Sequence, residues 1–202
     1  RLDIKIDGIP SHAGVAPEQG VSAITIASLA IASLHQEGWH GLVKKGSKRG
    51  TSNIGVINSG AATNVVADRA TIRAEARGHD PAFRNKIVRA IEKAFDKAAQ
   101  SVRSSSGRKG TVSITKRLDY EAFRIPQSDL SVVTAHKALE SIGYEPYYDV
   151  SNGGLDANWM AANGIPTVTL GCGQHDIHTT NEWLDLTAYK AACRVALMLA
   201  TS

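Results

Sequence analysis

Residues 70–102 read ATIRAEARGHDPAFRNKIVRAIEKAFDKAAQSV, and they change period halfway. In the first part, Thr71, Arg73, Glu75 and Arg77 alternate with Ile72, Ala74 and Ala76, as in a strand with one wet and one buried face. Pro81 then opens a helix that runs through IVRAIEKAFDKAAQSV. A strand feeding a helix is the unit from which the rest of this half of the chain is read.

Upstream, LDIKID (2–7) alternates in the same way and is a half-buried strand. The loop GIPSHAGVAPEQG follows. Pro17 and Glu18 suit a first helical turn, and the helix is expected to continue through VSAITIASLAIASLHQ to about residue 36. TSNIGVIN (51–58) is a further strand, and GTVSITKRLDY (110–120) is the one after the second helix. The order is β-α-β-β-α-β. It predicts a ferredoxin-like, antiparallel four-stranded sheet with both helices on one face.

Past YEAFRIPQ (120–127) the character changes. SDLSVVTAHKALESIG is a helix with Ser128 as N-cap and Gly143 at its end. PYYDV is a short strand, and the SNGG turn opens another helix. IPTVTLG is an apolar strand, and LTAYKAACRVALMLA is the last helix. Helices alternating with apolar strands predict an α/β region with parallel strands. Two strands are too little sheet for an independent doubly wound domain, so this region is expected to complete a sheet begun elsewhere. The predicted domains are residues 1–117 and 118–202.

Composition narrows the class. The chain has 202 residues, 43% hydrophobic and 21% charged, with a net charge of +4. These are values of a soluble globular protein. No run approaches a membrane span. Arg1 opens directly into a strand with no signal peptide, so a cytoplasmic location is expected, as is a piece of something longer. The two cysteines, Cys172 and Cys193, suggest no disulfide framework. The basic runs KKGSKR (44–49) and RSSSGRK (102–108) read as solvated loops without interleaved aromatics, so no nucleic-acid partner is expected.

Three loops carry candidate chemistry. GCGQHDIHTTNEWL (171–184) places His175 and His178 where open α/β sheets put their sites. Either imidazole can bind a metal, but zinc takes at least three protein ligands, and from spacing alone a surface loop with histidines in hydrogen bonds is the better reading. SNGGLDAN (151–158) is a strand-to-helix turn whose glycines let a backbone approach a ligand, or an ordinary tight turn. PSHAG (10–14) holds His12 among small residues before a helix, where a lone histidine is more often structural or solvated than functional. Asn64 reads as a turn residue and Arg77 as a solvated strand end. His35, His40, His79 and His136 have no identifiable partners.

Taken together, SHAGVAPEQGVSAI, GAATNVVADRATIRAEARGHD, GGLDAN and HTTNEW occur in an order that resembles the M20 family of di-zinc metallopeptidases, in particular its peptidase T-like (tripeptide aminopeptidase) branch. The resemblance implies that residues 1 to about 115 are the lid, or dimerisation, domain. Residues from about 120 onward would be the C-terminal part of the catalytic α/β domain. It implies a homodimer acting on short peptides with two Zn2+ per full-length subunit. By position, His178 matches the last metal ligand, and Glu182 matches a supporting residue of that loop. His12 matches the lid histidine that reaches the partner's site and stabilises an oxyanion. Asn64 matches a substrate contact, Arg77 a contact to a substrate carboxylate, and Gly153 and Gly154 a substrate-binding turn. Leu155 stands where many relatives have Ser or Thr.

The family's other metal ligands and its catalytic glutamate lie N-terminal to the lid, and none is in this sequence. Without that glutamate nothing takes a proton from the nucleophilic water, so these residues are not a competent peptidase alone. The alternatives are a non-catalytic dimerisation module, a truncated paralogue, or another amide hydrolase of the family: a dipeptidase, carboxypeptidase or aminoacylase. A ferredoxin-like RNA binder would need a basic or aromatic sheet face that these strands do not offer.

Overall fold

A computed structural model describes residues 1–201. The chain divides into two compact units, Arg1–Asp119 and the residues from Tyr120 onward.

The first unit runs β1 (Leu2–Asp7), α1 (Ala23–Gln36), β2 (Gly41–Lys45), β3 (Lys48–Ser59), β4 (Arg69–Arg77), α2 (Pro81–Ser101) and β5 (Thr111–Lys116). The sheet has five strands in the order β2-β3-β4-β1-β5, every neighbouring pair antiparallel. Its core follows from the alternation in the sequence. Leu2, Ile4 and Ile6 of β1 and Ala70, Ile72 and Ala74 of β4 face Ile26 and Leu34 of α1 and Phe83, Ile87, Ile91 and Phe95 of α2. Both helices therefore cover one face of the sheet. Asp80 caps α2, accepting from the amides of Ala82 (2.9 Å) and Phe83 (3.2 Å).

The sequence reading missed one strand and misplaced one helix start. KKGSKR is not a solvated loop: Lys45 pairs with Lys48 across a two-residue turn, and β2 and β3 form a hairpin. Lysines on the outermost strand keep such an edge from pairing with other chains, and the same charges made it look like a loop. The first helix does not begin at Pro17. Pro17–Gln19 is a separate 3-10 turn, and α1 starts after Ser22, whose hydroxyl accepts from the Thr25 amide at 3.1 Å. Between them Val21 bridges to Ile9, which forces the chain out of helical conformation.

The second unit contains α3 (Leu130–Ser141), α4 (Asp156–Ala162), a short antiparallel hairpin of β6 (Gln174–His175) and β7 (Trp183–Leu184), and α5 (Leu186–Thr201). α3 and α5 pack together, burying Val132, Ala135 and Ala138 with Val195. Asp129, not Ser128, is the N-cap of α3; its carboxylate accepts from the Ser131 amide at 2.9 Å. A carboxylate there also meets the positive end of the helix dipole. Neither PYYDV nor IPTVTLG forms a strand among the described residues, so the expected parallel pattern is absent. A strand exists only through its ladder, and no extended neighbour lies within this unit to supply one. Ile165 and Leu170 are accordingly exposed. No helix among the described residues is long and apolar enough to cross a membrane.

Candidate functional site

The sequence-predicted residues fall into separate places. In the first unit, β1 ends at Asp7 and the chain closes a loop through the Ile9–Val21 bridge. Residues 11–13 of that loop run beside residues 64–66. The Ala13 amide donates to the Asn64 carbonyl and the Val66 amide to the Ser11 carbonyl, both at 2.9 Å, with His12 opposite Val65. Two segments distant in sequence thus bring His12 and Asn64 to neighbouring positions. Both residues are exposed.

The imidazole of His12 is oriented locally. The Gly14 amide donates to Nδ1 at 3.1 Å. An accepting Nδ1 carries no proton in the neutral ring, so the proton sits on Nε2. The ring therefore presents an N–H donor outward, the chemistry that stabilises a developing negative charge on a carbonyl oxygen.

Arg77 is not part of this place. The His12–Asn64 loop lies past the end of the sheet where Arg69 pairs with Asp7, whereas Arg77 closes the other end of β4 opposite Thr51. Eight residue steps separate Arg69 from Arg77, which at ~3.3 Å per residue is about 26 Å. The Arg77 guanidinium is half-buried and forks onto Glu75, with Nε to Oε1 and Nη2 to Oε2 both 2.9 Å.

In the second unit, the GGLDAN turn is held by a residue the sequence reading passed over. Asn158 is buried; its Oδ1 accepts from the Leu155 amide (2.9 Å) and its Nδ2 donates to the Glu121 carbonyl (2.9 Å). An amide at the third helical position, reaching back to the start, was the visible signal. Gly153 donates its amide to Ser151 Oγ at 3.0 Å. The close approach expected of a ligand is made at Gly154 by the chain's own Tyr120, whose ring and hydroxyl occupy the space a Cβ would need.

The 171–184 loop is a closed hairpin. Gln174 pairs with Leu184 and His175 with Trp183, and the His175 ring stacks on Trp183 at 4.1 Å and 12°. Gly173 (φ 81°) lies against Ala188 and Asp185, where a side chain would collide. Asp176 and His178 have φ of 52° and 65°, the only non-glycine residues in the left-handed region among those described. Such a backbone costs about 1–3 kcal/mol and persists only where its surroundings hold it. Here Glu182 does so: Oε2 accepts from the His178 amide at 2.8 Å and Oε1 from Gln174 Nε2 at 2.6 Å. The His178 amide above all, and Gln174 after it, hold the Glu182 carboxyl below its ordinary range.

An exposed imidazole on a fixed backbone fits one ligand position of a metal centre. No group of three or more His, Cys, Asp or Glu side chains comes together among the described residues, so the set present does not amount to a centre. Both cysteines are free and exposed. The remaining histidines are not all without partners: His40 Nε2 accepts from the Ile54 amide at 3.3 Å, and His136 meets Tyr148 Oη at 2.9 Å and Glu140 at 3.2 Å.

Residues 1–103 match the family model of the peptidase dimerisation domain of the M20 group. An uncharacterised protein of Bacillus subtilis (strain 168), YqjE, is 39% identical over 177 residues, 88% of this chain and 44% of that protein. Among solved structures, the aminopeptidase PepT of Bacillus cereus is similar with a TM-score of 0.74 and 38% identity, over 98% of this chain and 49% of that one. A tripeptidase of Staphylococcus aureus is similar with a TM-score of 0.77 and 33% identity, over 97% of this chain and 49% of that one. The chain spans a little under half the length of these relatives.

Proposed function

The chain belongs to the M20 peptidase dimerisation domain family, and on that premise we propose that the protein containing it hydrolyses short peptides from a free N-terminus. The relatives described as an aminopeptidase and a tripeptidase support this substrate class. The observation that carries the reading is the His12 imidazole, fixed by Gly14 so that its Nε2–H points outward as a donor. In this reading His12 donates to the scissile carbonyl and strengthens that bond as charge develops on the oxygen. Asn64, beside it, contacts the peptide, and the backbone around Gly153 and Gly154 forms a wall of the substrate turn.

His178 serves as one ligand of a zinc pair whose other ligands lie outside this chain, with Glu182 supporting its loop. Such a pair, when bound, supplies the Lewis acidity that makes water nucleophilic at neutral pH. Arg77 takes a substrate carboxylate. Its separation from His12 means that a short peptide touching both draws them from two chains.

A homodimer supplies those two chains. β2 covers only Lys48–Ser52 of β3 and His40 takes the Ile54 amide, which leaves the outer edge of the strand open from Gly55 to Ser59. Val56 and Ile57 are exposed there, and Ile24 and Leu29 are exposed on α1. α1 contains no Lys, Arg, Asp or Glu, and a side chain at Gly60, just past β3, would touch Ile24 Cδ1. An open edge beside an uncharged helix face suits a second copy related by a two-fold axis.

The test is an assay of the protein containing this chain on dipeptides, tripeptides and N-acetylated tripeptides. Preference for free tripeptides supports the reading. Turnover confined to N-acylated amino acids would favour the aminoacylase alternative.

A further inference from the structure

We propose that Gln174 and Glu182 form a positioning clamp for His178 that acts through the main chain, not through the imidazole. This rests on the reading of His178 as a metal ligand. Three observations lead to it. His178 has a φ of 65°, a conformation that a residue with a side chain does not hold unaided. Its amide donates to Glu182 Oε2 at 2.8 Å, a charge-assisted bond to the main chain of the very residue that is strained. The other oxygen, Oε1, is held by Gln174 Nε2 at 2.6 Å, so the carboxylate is fixed at both ends between the two strands of the hairpin.

The usual support for a ligating histidine bonds its second ring nitrogen and sets the tautomer. Here the support fixes where the Cα–Cβ bond points and leaves both ring nitrogens without a bond from Glu182. Gln174 is a positioning residue with no role in the reaction itself. It stands one position before His175, whose ring is occupied by Trp183. That arrangement separates the two histidines: one is packed, and the other is held out. The turn between them is closed by Thr179, whose amide and hydroxyl both donate to the Asp176 carbonyl at 3.1 and 2.7 Å.

The experiment compares the full-length protein with its His178→Ala, Glu182→Ala, Glu182→Gln and Gln174→Ala variants. Zn2+ affinity is read by competition with a chromophoric chelator. Exchange of the His178 amide is read by hydrogen–deuterium mass spectrometry, and Trp183 fluorescence reports whether the hairpin is still formed. The clamp predicts Zn2+ binding about 10–100-fold weaker in Glu182→Ala and Gln174→Ala, faster exchange at His178, and kcat restored by excess Zn2+ with KM for peptide unchanged. Glu182→Gln keeps an acceptor for the His178 amide but loses the one for Gln174, and is expected to fall between. If His178→Ala loses Zn2+ while Glu182→Ala and Gln174→Ala bind as the parent does, the clamp is overturned and the ligand reading stands. If His178→Ala binds Zn2+ as the parent does, the ligand reading fails and the clamp's purpose fails with it. The exchange data still show in that case whether Glu182 holds the backbone.

Discussion

The Gly14 amide donates to Nδ1 of His12 at 3.1 Å, and this one bond decides which nitrogen of the ring carries the proton. A donor presented outward acts on an oxygen that gains charge only in the transition state. His12→Ala in the full-length protein is therefore expected to lower kcat by roughly 10²–10³ with little change in KM. Nitrogen-15 NMR of the labelled imidazole should show the Nε2–H tautomer. A ring protonated at Nδ1, or an unchanged kcat, would remove the role.

Gly154 has Tyr120 where its Cβ would be. Gly154→Ala should cost about 1–3 kcal/mol of stability through overpacking. Tyr120→Ala in the same chain should return much of that loss. Denaturant midpoints of the two single variants and the double variant measure the coupling, and simple additivity would contradict the contact.

Asp80 caps α2 and receives a 2.6 Å bond from Lys48 Nζ. That bond first, then the Phe83 amide, holds its carboxyl below the ordinary range. A depressed folded-state value means stability that is present above the unfolded carboxylate's pKa and is lost as pH falls through the folded one. Asp80→Asn keeps a capping oxygen and removes the charge. Its urea midpoint should lie below the parent's at pH 7, and the gap should close as the pH falls below about 4. A gap independent of pH would show that the charge contributes nothing.

The open edge of β3 and the uncharged face of α1 should be covered in solution. Leu29→Glu or Ile57→Lys is expected to convert a dimer to a monomer in sedimentation velocity, with helix content unchanged by circular dichroism. Both side chains are about half exposed in the single chain, at 47% and 48%, so the charge is tolerated by the monomer itself. A dimer that survives both substitutions would place the interface elsewhere.

What could be read in the sequence was what is decided locally. β4 shows its two faces in the alternation of Ile72 and Ala74 with Thr71 and Arg73, and α2 announces itself at Pro81. β2 was not legible because its five residues include Lys44 and Lys45, whose charges suit an edge strand and a loop alike. PYYDV and IPTVTLG show the converse: their residues favour strands, but a ladder is a property of neighbours, and this unit offers none. The site divides in the same way. His12 and His178 are visible as loop histidines, but their roles, and any interest in Asn64, came only through a family pattern, because the pairing of residues 11–13 with 64–66 leaves no mark in either segment. The purpose of Glu182 depends on a left-handed φ at His178, which no spacing rule reports.

In the proposed dimer His12 of one subunit works at the metal site of the other, and mixing of two inactive variants puts that pairing to the test. His12→Ala and His178→Ala homodimers, each inactive, are unfolded together, refolded at equal amounts and assayed on a tripeptide. Half of the resulting dimers are mixed, and each mixed dimer has one site with an intact His178 and the partner's intact His12. Activity of about a quarter of the parent's is the predicted result. Mixed dimers that form but stay as inactive as their parents would show that His12 acts within its own chain or not at all.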